Sequence, residues 1–132
     1  MNIIMCLDDR NGLTFNGRRL SADRLVYQQI AKTAVGNLWM NQKSAELFNN
    51  FSVCTDVDFL NRAGFSDSCF VEDLAFVEHM DKVRLITIYR WNRRYPSDVR
   101  LPENLLTGWK CISTFDFAGN SHETITEEKY VP

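Results

Sequence analysis

Glycine, proline and histidine are scarce in this sequence. Its 132 residues include six glycines, three prolines and two histidines, while 45% are hydrophobic and 24% are charged. A composition with so few chain breakers excludes collagen-like and disordered classes and is typical of a folded protein. A chain of this length builds one hydrophobic core, so we predict a single domain over residues 1–132.

Long apolar runs and a basic leader are also missing. No stretch approaches the roughly 18 apolar residues that span a bilayer, and the N-terminal Met-Asn-Ile-Ile carries no positive side chain. We therefore expect a cytoplasmic protein that does not enter a membrane. The formal net charge of −2 gives no general attraction to nucleic acid, so any basic surface must be local.

Motifs for metal ions and disulfides are absent as well. The cysteines are dispersed beside apolar residues, at Cys6, Cys54, Cys69 and Cys111. No pair has Cys-x-x-Cys spacing, so we expect buried, reduced thiols. His79 and His122 are far apart in sequence, and we predict no metal site. Asp8 and Asp9 have metal-binding oxygens, but a polar turn after a strand explains them more simply.

Hydrophobic periodicity predicts an alternation of strands and helices followed by a strand-rich half. Strands are predicted at residues 3–7, 37–41, 51–54, 83–89, 109–115 and 123–131, and helices from a Ser21 cap to Gly36 and over residues 44–48. Residues 55–81 are less clear: residues 58–63 fit a helical turn, 64–68 a loop, 69–72 a strand, and 74–80 either a short helix or a packed loop. This order favours an α/β fold, a three-layer sandwich around a mixed central sheet with an antiparallel edge.

A basic and aromatic segment follows the strongest strand pattern. It contains Arg90, Trp91, Arg93, Arg94 and Tyr95. Arginines interleaved with aromatic rings stack on bases, contact phosphates or anchor protein interfaces. We predict an interaction surface for a protein or a nucleic acid here. If the strand continues, Arg90, Asn92 and Arg94 share one face. The alternative is an amphipathic edge strand whose arginines pair with acids of the same chain.

A second group of polar residues, Ser121-His122-Glu123, has side chains typical of acid–base chemistry. Neighbouring residues of a strand point to opposite faces, so these three are not expected to form a relay together. We predict that His122 lies in a loop or at the start of the last strand. His79 is predicted to be exposed or half-buried.

Several short motifs, in this order, resemble dihydrofolate reductase. Residues 3–12 are similar to that family's first strand and following loop, and Leu20-Ser21-Ala22-Asp23 is similar to the Leu-Pro-Ala-Asp at the start of its first helix. Residues 38–44 stand where the family has an apolar strand, Gly, a basic pair and Thr or Ser. Residues 82–109 resemble its strand, acidic loop, proline and Trp, and residues 120–122 the loop before its last strand.

The resemblance implies a dihydrofolate-reductase-like fold and a candidate acid. Asp23 matches the buried carboxylate that supports pteridine protonation in the family, and Lys43 and Ser44 match residues near the cofactor phosphate. A carboxylate in an apolar cleft anchors a 2-amino-pyrimidine edge by two charge-assisted hydrogen bonds. The alternative for Asp23 is a first-turn acid that stabilises its helix by roughly 0.3–1 kcal/mol.

The cofactor motif departs from the family. Where the family holds the NADPH pyrophosphate with a Gly-Gly pair, this chain has Val71-Glu72-Asp73. Two carboxylates repel a pyrophosphate, and the close backbone approach that glycine allows is lost. The arginine that anchors the folate tail has no counterpart in Asn49-Asn50-Phe51. We therefore expect no cofactor, or NADPH if the chain is a reductase that holds it in a changed way.

The chain also resembles a group of small proteins from Firmicutes and their mobile elements that carries the label ribonuclease Z. The resemblance lies in the Asp-Asp-Arg-x-Gly start, the Tyr-Arg-Trp-Asn-Arg core and the Ser-His-Glu-x-Ile-Thr end. A metallo-β-lactamase-type nuclease needs a His-x-His-x-Asp-His cluster for two zinc ions, whereas this chain has two histidines. The residues therefore do not support a zinc nuclease.

Two functions follow from these observations. The first is a non-catalytic binding or inhibitory protein on a degenerate dihydrofolate-reductase-like scaffold, such as a mobile-element protein that acts on a host defence complex. The alternative is a short NADPH-dependent pterin or dihydrofolate reductase with Asp23 as its acid. The sequence leaves the oligomeric state and the identity of the ligand or partner open.

Overall fold

A computed structural model describes residues 1–132, in which thirteen helices and strands are joined by short loops and two 3₁₀ segments. The strands are β1 (Asn2–Leu7), β2 (Gly12–Phe15), β3 (Arg18–Arg19), β4 (Leu38–Met40), β5 (Cys54–Thr55), β6 (Ser68–Phe70), β7 (Leu85–Arg90), β8 (Val99–Arg100), β9 (Lys110–Phe117) and β10 (Ile125–Val131). The helices are α1 (Arg24–Thr33), α2 (Gln42–Ala45) and α3 (Phe59–Arg62), and the 3₁₀ segments are Glu46–Phe48 and Ala75–Lys82.

A seven-stranded sheet forms the middle of the molecule, in the order β5-β4-β6-β1-β7-β10-β9. The five strands from β5 to β7 are parallel, whereas β10 and β9 run antiparallel to their neighbours. The pairing of β1 with β7 extends from Asn2 opposite Leu85 to Leu7 opposite Arg90. The predicted α/β class, with a mixed central sheet and an antiparallel edge, is confirmed.

The sheet is buried on both faces because alternate residues of its central strands point to opposite sides. On one side, Ile3 and Ile86 pack with residues such as Leu60 of α3 and Phe76 of the second 3₁₀ segment. On the other side are α1 and the first 3₁₀ segment. Their buried residues pack with the sheet in a cluster formed by Ile4, Val26, Tyr27, Ile30, Leu38, Met40, Phe48, Phe70, Tyr89, Trp91 and Ile125. The molecule therefore has three layers.

A three-stranded antiparallel sheet, β3-β2-β8, forms a second, smaller unit that the sequence did not predict as a sheet. Gly12 of β2 is tightly enclosed, because a Cβ atom there would lie 2.8 Å from a carboxylate oxygen of Asp8 and from Ser97. This small sheet positions Arg19, at its end, near the main sheet.

Several predicted boundaries are wrong. Helix α1 is capped by Asp23, whose carboxylate accepts a hydrogen bond from the Leu25 amide, and not by Ser21. Ser44 lies inside α2, which is capped by Asn41. Strand β7 ends at Arg90, and Asn92 has a φ of 57°, so residues 90–94 do not continue as a strand with alternating faces. Both caps are decided by local hydrogen bonds, from the Leu25 amide to Asp23 and from the Ser44 amide to Asn41.

The two edges of the main sheet differ. Strand β5 has two residues, whereas β9 has eight, of which all but Phe117 are exposed. No helix covers β9, and Ile112 and Phe115 expose 58% and 51% of their surface. The four cysteines are free; Cys69 is buried and Cys6 and Cys54 are half-buried, whereas Cys111 on this strand is exposed, so the prediction of buried thiols is wrong there. No helix is long and apolar enough to cross a membrane.

Candidate functional site

The loops after β1, β4, β6 and β7 meet at one edge of the sheet, because the carboxyl ends of parallel strands lie on the same side. Two groups of polar side chains lie here. The Asp23 cluster consists of Ser21, Asp23, Trp91, Tyr95, Ser121 and His122. The Glu72 cluster consists of Arg19, Ser44 and Glu72.

Asp23 joins the start of α1 to the loop before β10. Its carboxylate accepts hydrogen bonds from the backbone amides of Asn120 at 2.9 Å, Ser121 at 2.9 Å and His122 at 3.2 Å. Gly119 makes this approach possible, since a Cβ atom there would lie 2.6 Å from Asp23 Oδ2. Asp23 thus fastens the last loop to the first helix.

The electrostatics of Asp23 follow from these contacts. Burial alone raises the pKa of this carboxyl group, but the hydrogen bonds from Asn120, His122 and Ser121 outweigh it and hold the pKa well below its usual range. The side chain is fully buried, with 0% exposed. Asp23 is therefore a carboxylate at neutral pH whose acceptor positions are taken by its own chain.

His122 is the second buried member of this cluster. Its Nδ1 atom lies 2.9 Å from Asp23 Oδ2, and its ring stacks on Trp91 with centroids 4.7 Å apart. Its Nε2 atom faces two hydroxyl groups, Ser21 Oγ at 3.0 Å and Tyr95 Oη at 3.2 Å. His122 therefore connects a buried carboxylate to two hydroxyl groups.

These contacts confirm one expectation for His122 and correct another. His122 does lie in the loop before β10. Because residues 121–123 form bends and not a strand, the alternation of faces assumed for them does not apply, and Ser121 Oγ lies 3.1 Å from His122 Nδ1. Two partners of His122 lie about a hundred residues away in sequence, Ser21 at a separation of 101 and Asp23 at 99. No local pattern could have paired Ser21 with it.

Glu72 lies just beyond β6, where the sequence resemblance predicts the glycine pair of the family. Its carboxylate accepts two hydrogen bonds from the Arg19 guanidinium, at 2.8 and 2.9 Å, and one from Ser44 Oγ at 2.7 Å. Ser44 is buried at the start of α2, and its amide donates to the cap residue Asn41. Lys43 is exposed. Together with Arg19, Ser44 and Glu72 it lines a cavity of about 200 Å³. The ion pair partly fills the space between the strand ends.

A larger cavity, of about 470 Å³, lies beside Asp23. Tyr27, Leu47 and Phe51 provide its apolar wall, and Gln28, Asn49, Asn50, Asn120 and Ser121 provide polar groups. The remaining lining residues are Ala22, Asp23 and Arg24. The cavity is large enough for a small ligand.

The basic and aromatic segment is partly folded into the protein. Arg90 pairs with Glu128 at 2.9 Å and also donates to Asn11 and to the Asp8 carbonyl. Trp91 is 3% exposed. Tyr95, which contacts His122, is half-buried. The two remaining arginines, Arg93 and Arg94, are exposed, and the Arg93 side chain donates to the Ser121 carbonyl at 3.1 Å.

The Asp8 carboxylate stabilises the loop after β1 through hydrogen bonds. Its carboxylate accepts hydrogen bonds from the backbone amides of Arg10, Gly12 and Tyr95, at 2.7–3.0 Å. Burial raises the pKa of Asp8, but these hydrogen bonds outweigh the effect of burial and lower the pKa below its ordinary value. No group of three or more His, Cys, Asp or Glu side chains is placed to hold a metal ion.

Comparison with solved structures shows the fold. The chain is similar to dihydrofolate reductase from Enterococcus faecalis, complexed with NADP(H) and RAB-propyl, with a TM-score of 0.67 and 11% sequence identity. The match covers 98% of this chain and 94% of that one. No protein-family model and no curated protein matches the sequence.

The fold class is therefore that of dihydrofolate reductase. At 11% identity the likeness extends to the arrangement of strands and helices and not to chemistry. NADP(H) belongs to the similar enzyme. What this chain does depends on its own residues at the strand ends.

Proposed function

We propose that this protein uses a dihydrofolate-reductase-like scaffold to bind a partner and does not reduce pterins. One observation carries the proposal: the Asp23 carboxylate already accepts hydrogen bonds from its own chain, from the amides of residues 25 and 120–122 and from His122. A carboxylate so occupied has no free oxygen lone pairs directed at a pterin amino group. Its lowered pKa also makes it a poor proton donor.

The Glu72 cluster supports the same proposal. A pyrophosphate needs free amides and cations, but Arg19 is already paired with Glu72 and the Ser44 hydroxyl donates to the same carboxylate. A bound pyrophosphate would have to displace this internal carboxylate and then tolerate its charge. Cofactor binding is thus opposed at the place where the family resemblance puts it.

A protein is the partner class that the basic segment favours. Recognition of single-stranded nucleic acid relies on exposed aromatic rings on which bases stack. Trp91 is buried against His122, so Arg93 and Arg94 form the exposed part of this segment. Exposed guanidinium groups suit carboxylates on a partner protein. A host defence complex, as the mobile-element resemblance implies, is one such target.

The alternative is a short NADPH-dependent pterin or dihydrofolate reductase, with Asp23 as its acid and Lys43 and Ser44 near the cofactor phosphate. The cavity of about 470 Å³ beside Asp23 favours this alternative, because it has room for a small ligand. It requires the loop at residues 119–122 to leave Asp23 when the ligand binds.

A cofactor titration separates the two functions. NADPH is added to millimolar concentration while the fluorescence of Trp39, Trp91 and Trp109 is followed, and NADPH absorbance is then monitored with dihydrofolate present. We expect neither a saturable fluorescence change nor oxidation of NADPH, with an active dihydrofolate reductase as the positive control. Turnover by the native protein that disappears in Asp23→Asn, at a temperature where circular dichroism shows the variant folded, would establish the reductase and overturn the proposal.

The binding surface is tested by charge reversal. We expect Arg93→Glu combined with Arg94→Glu to weaken capture of a specific host protein about tenfold or more, measured by quantitative mass spectrometry of affinity captures. The matched control is Lys32→Glu with Lys82→Glu, which changes net charge equally at two exposed lysines elsewhere. Equal capture by the two double variants would show that residues 93 and 94 do not form the surface.

A further inference from the structure

We propose that Ser21 is a nucleophile activated by His122 and Asp23, and that it accepts acyl groups from small neutral carboxylic esters. This activity goes beyond partner binding and uses neither Arg93 nor Arg94. The observation behind it is one continuous hydrogen-bonded chain. Ser21 Oγ lies 3.0 Å from His122 Nε2, and His122 Nδ1 lies 2.9 Å from Asp23 Oδ2. Both distances are within the reach that a hydroxyl nucleophile, its base and the group orienting that base require.

The protonation pattern follows from Asp23. Because Asp23 is a carboxylate held by backbone amides, it accepts a hydrogen bond from His122, so Nδ1 is the ring nitrogen that carries the hydrogen. The neutral imidazole then presents the lone pair of Nε2 to the hydroxyl of Ser21. Stacking on Trp91 and burial of His122 to 3% exposure hold the ring in this orientation. Asp23 is thus a positioning residue, which explains why its carboxylate is fixed within the protein.

The burial of the three residues suits a reaction with an external molecule. His122 and Asp23 are buried, whereas Ser21 is partly exposed. The backbone amides of Ala22 and Arg24, next to Ser21 and at the start of α1, donate no hydrogen bond within the chain. An amide directly after a nucleophilic serine is a typical donor to the oxyanion that forms during acyl transfer.

The neighbouring cavity indicates the substrate class. Ala22 and Ser121, which flank the relay, are among the residues lining the cavity of about 470 Å³. Asp23 is committed to His122, and the other charged side chain, Arg24, already donates to Asn120 at 3.0 Å; the rest of the lining is apolar or carries amide and hydroxyl groups. Such a lining suits a small acyl group without charge.

The reaction uses water as its second reactant. Ser21 Oγ forms a bond to the ester carbonyl carbon while its proton passes to His122 Nε2. The carbon–oxygen bond to the alcohol then breaks, and the alcohol leaves with that proton. Water attacks the acyl-serine with His122 again as base, which releases the carboxylic acid and restores Ser21. The sum is an ester and water giving an acid and an alcohol.

Tyr95 modulates this arrangement because its hydroxyl competes for the same nitrogen. Tyr95 Oη lies 3.2 Å from His122 Nε2, slightly farther than Ser21 Oγ. A neutral imidazole nitrogen offers one lone pair, so the two hydroxyls share it. Tyr95→Phe removes the competitor, and we expect Ser21 to react faster than in the unchanged protein.

The direct test is labelling with an alkyl fluorophosphonate, in which Ser21 Oγ bonds to phosphorus and fluoride leaves. We expect one added group by intact-protein mass spectrometry, mapped to Ser21 by peptide fragmentation. Ser21→Ala should lose the label, whereas Ser113→Ala, at an exposed serine on β9, should keep it. An unlabelled native protein, or a label on Tyr95 or another serine alone, would overturn the proposal.

A second measurement separates activation from simple exposure of the hydroxyl. His122→Gln should slow labelling of Ser21, and hydrolysis of p-nitrophenyl acetate, by about a hundredfold or more, because the general base is lost. Circular dichroism and thermal melting identify a variant that fails to fold. If His122→Gln fails to fold, Tyr95→Phe gives the answer, since labelling of Ser21 that is unchanged or slower in this variant would contradict the shared lone pair. Unchanged labelling in folded His122→Gln would likewise overturn the relay.

Discussion

The Asp23 and Glu72 clusters lie at the same edge of the sheet, and each holds a carboxylate within hydrogen-bonding contacts of its own chain. They differ in the kind of donor. Asp23 is held mainly by backbone amides and is fully buried, whereas Glu72 is held by the side chains of Arg19 and Ser44 and is 21% exposed. Backbone donors cannot leave without moving a loop, but side-chain donors swing away by rotating a few bonds.

Because the donors differ, substitution of the two carboxylates should affect stability by different amounts and for different reasons. Replacing Asp23 leaves the amides of residues 120–122 without their acceptor, and because the His122 amide is buried, its loss of a partner lowers the stability of the fold. Replacing Glu72 releases an arginine that is 28% exposed and reaches water easily. The Asp23 cluster is thus needed for the stability of the fold. The Glu72 cluster lies at the ends of the strands and can be replaced with a smaller loss of stability.

The largest expected effect is the loss of stability in Asp23→Asn. An amide in place of the carboxylate turns a donor towards backbone N–H groups and removes the partner of His122, so the free energy of unfolding should fall by about 3 kcal/mol or more. Urea unfolding followed by circular dichroism measures it. The matched control is Asp9→Asn, at an exposed neighbour on the loop after β1, with an expected change below about 0.5 kcal/mol. Similar losses in both variants would contradict this role of Asp23 in stability.

A smaller effect is expected in the pH dependence of the stability difference between the wild type and Asp23→Asn. The folded pKa of Asp23 lies below its unfolded value of about 3.9, so its stabilisation is complete above that pH and is lost as the pH falls below it. The pKa values of Asp8 and Asp67 are also lowered in the folded protein, so the wild type and Asp23→Asn both lose stability in acid. The stability gap between wild type and Asp23→Asn should therefore be constant from neutral pH to about 5 and shrink below about 4. A gap that stays the same in acid would count against Asp23 as the titrating group.

The smallest effect is expected for Glu72→Gln. This change keeps the shape and removes the charge facing Arg19, and for a partly exposed pair the loss should be about 1 kcal/mol. Salt screens such a pair, so the difference should diminish in 1 M NaCl, where the Debye length is about 3 Å. Arg62→Gln, which breaks the more exposed pair with Asp56, serves as control and should have almost no effect. A loss as large as that of Asp23→Asn would remove the distinction between the clusters.

The fold could be predicted further than the site. Strands β1 and β7 are recognisable because both faces are buried and their residues are almost continuously apolar. The caps at Asp23 and Asn41 and the end of β7 at Arg90 were missed, since each depends on which acceptor meets which amide. The predicted end of strand β9, residue 115, differs from the observed end by two residues. The strand is recognisable because apolar and polar residues alternate along its sequence.

The site depended on contacts that no local pattern contains. Asp23, Lys43 and Ser44 were chosen by resemblance, which gives position but not hydrogen-bond partners. Ser21 and His122 are separated by 101 residues, and only the closing of β10 beside β7 brings them together. The interaction surface at residues 90–95 remains a prediction, with Arg93 and Arg94 as its exposed members.

The unequal edges of the main sheet have a consequence for how the protein behaves at high concentration. At β5 two residues offer little ladder to an approaching strand, whereas β9 presents one side of an eight-residue backbone with unpaired amide and carbonyl groups. We therefore expect another polypeptide that adds to the main sheet to pair with β9 in preference to β5.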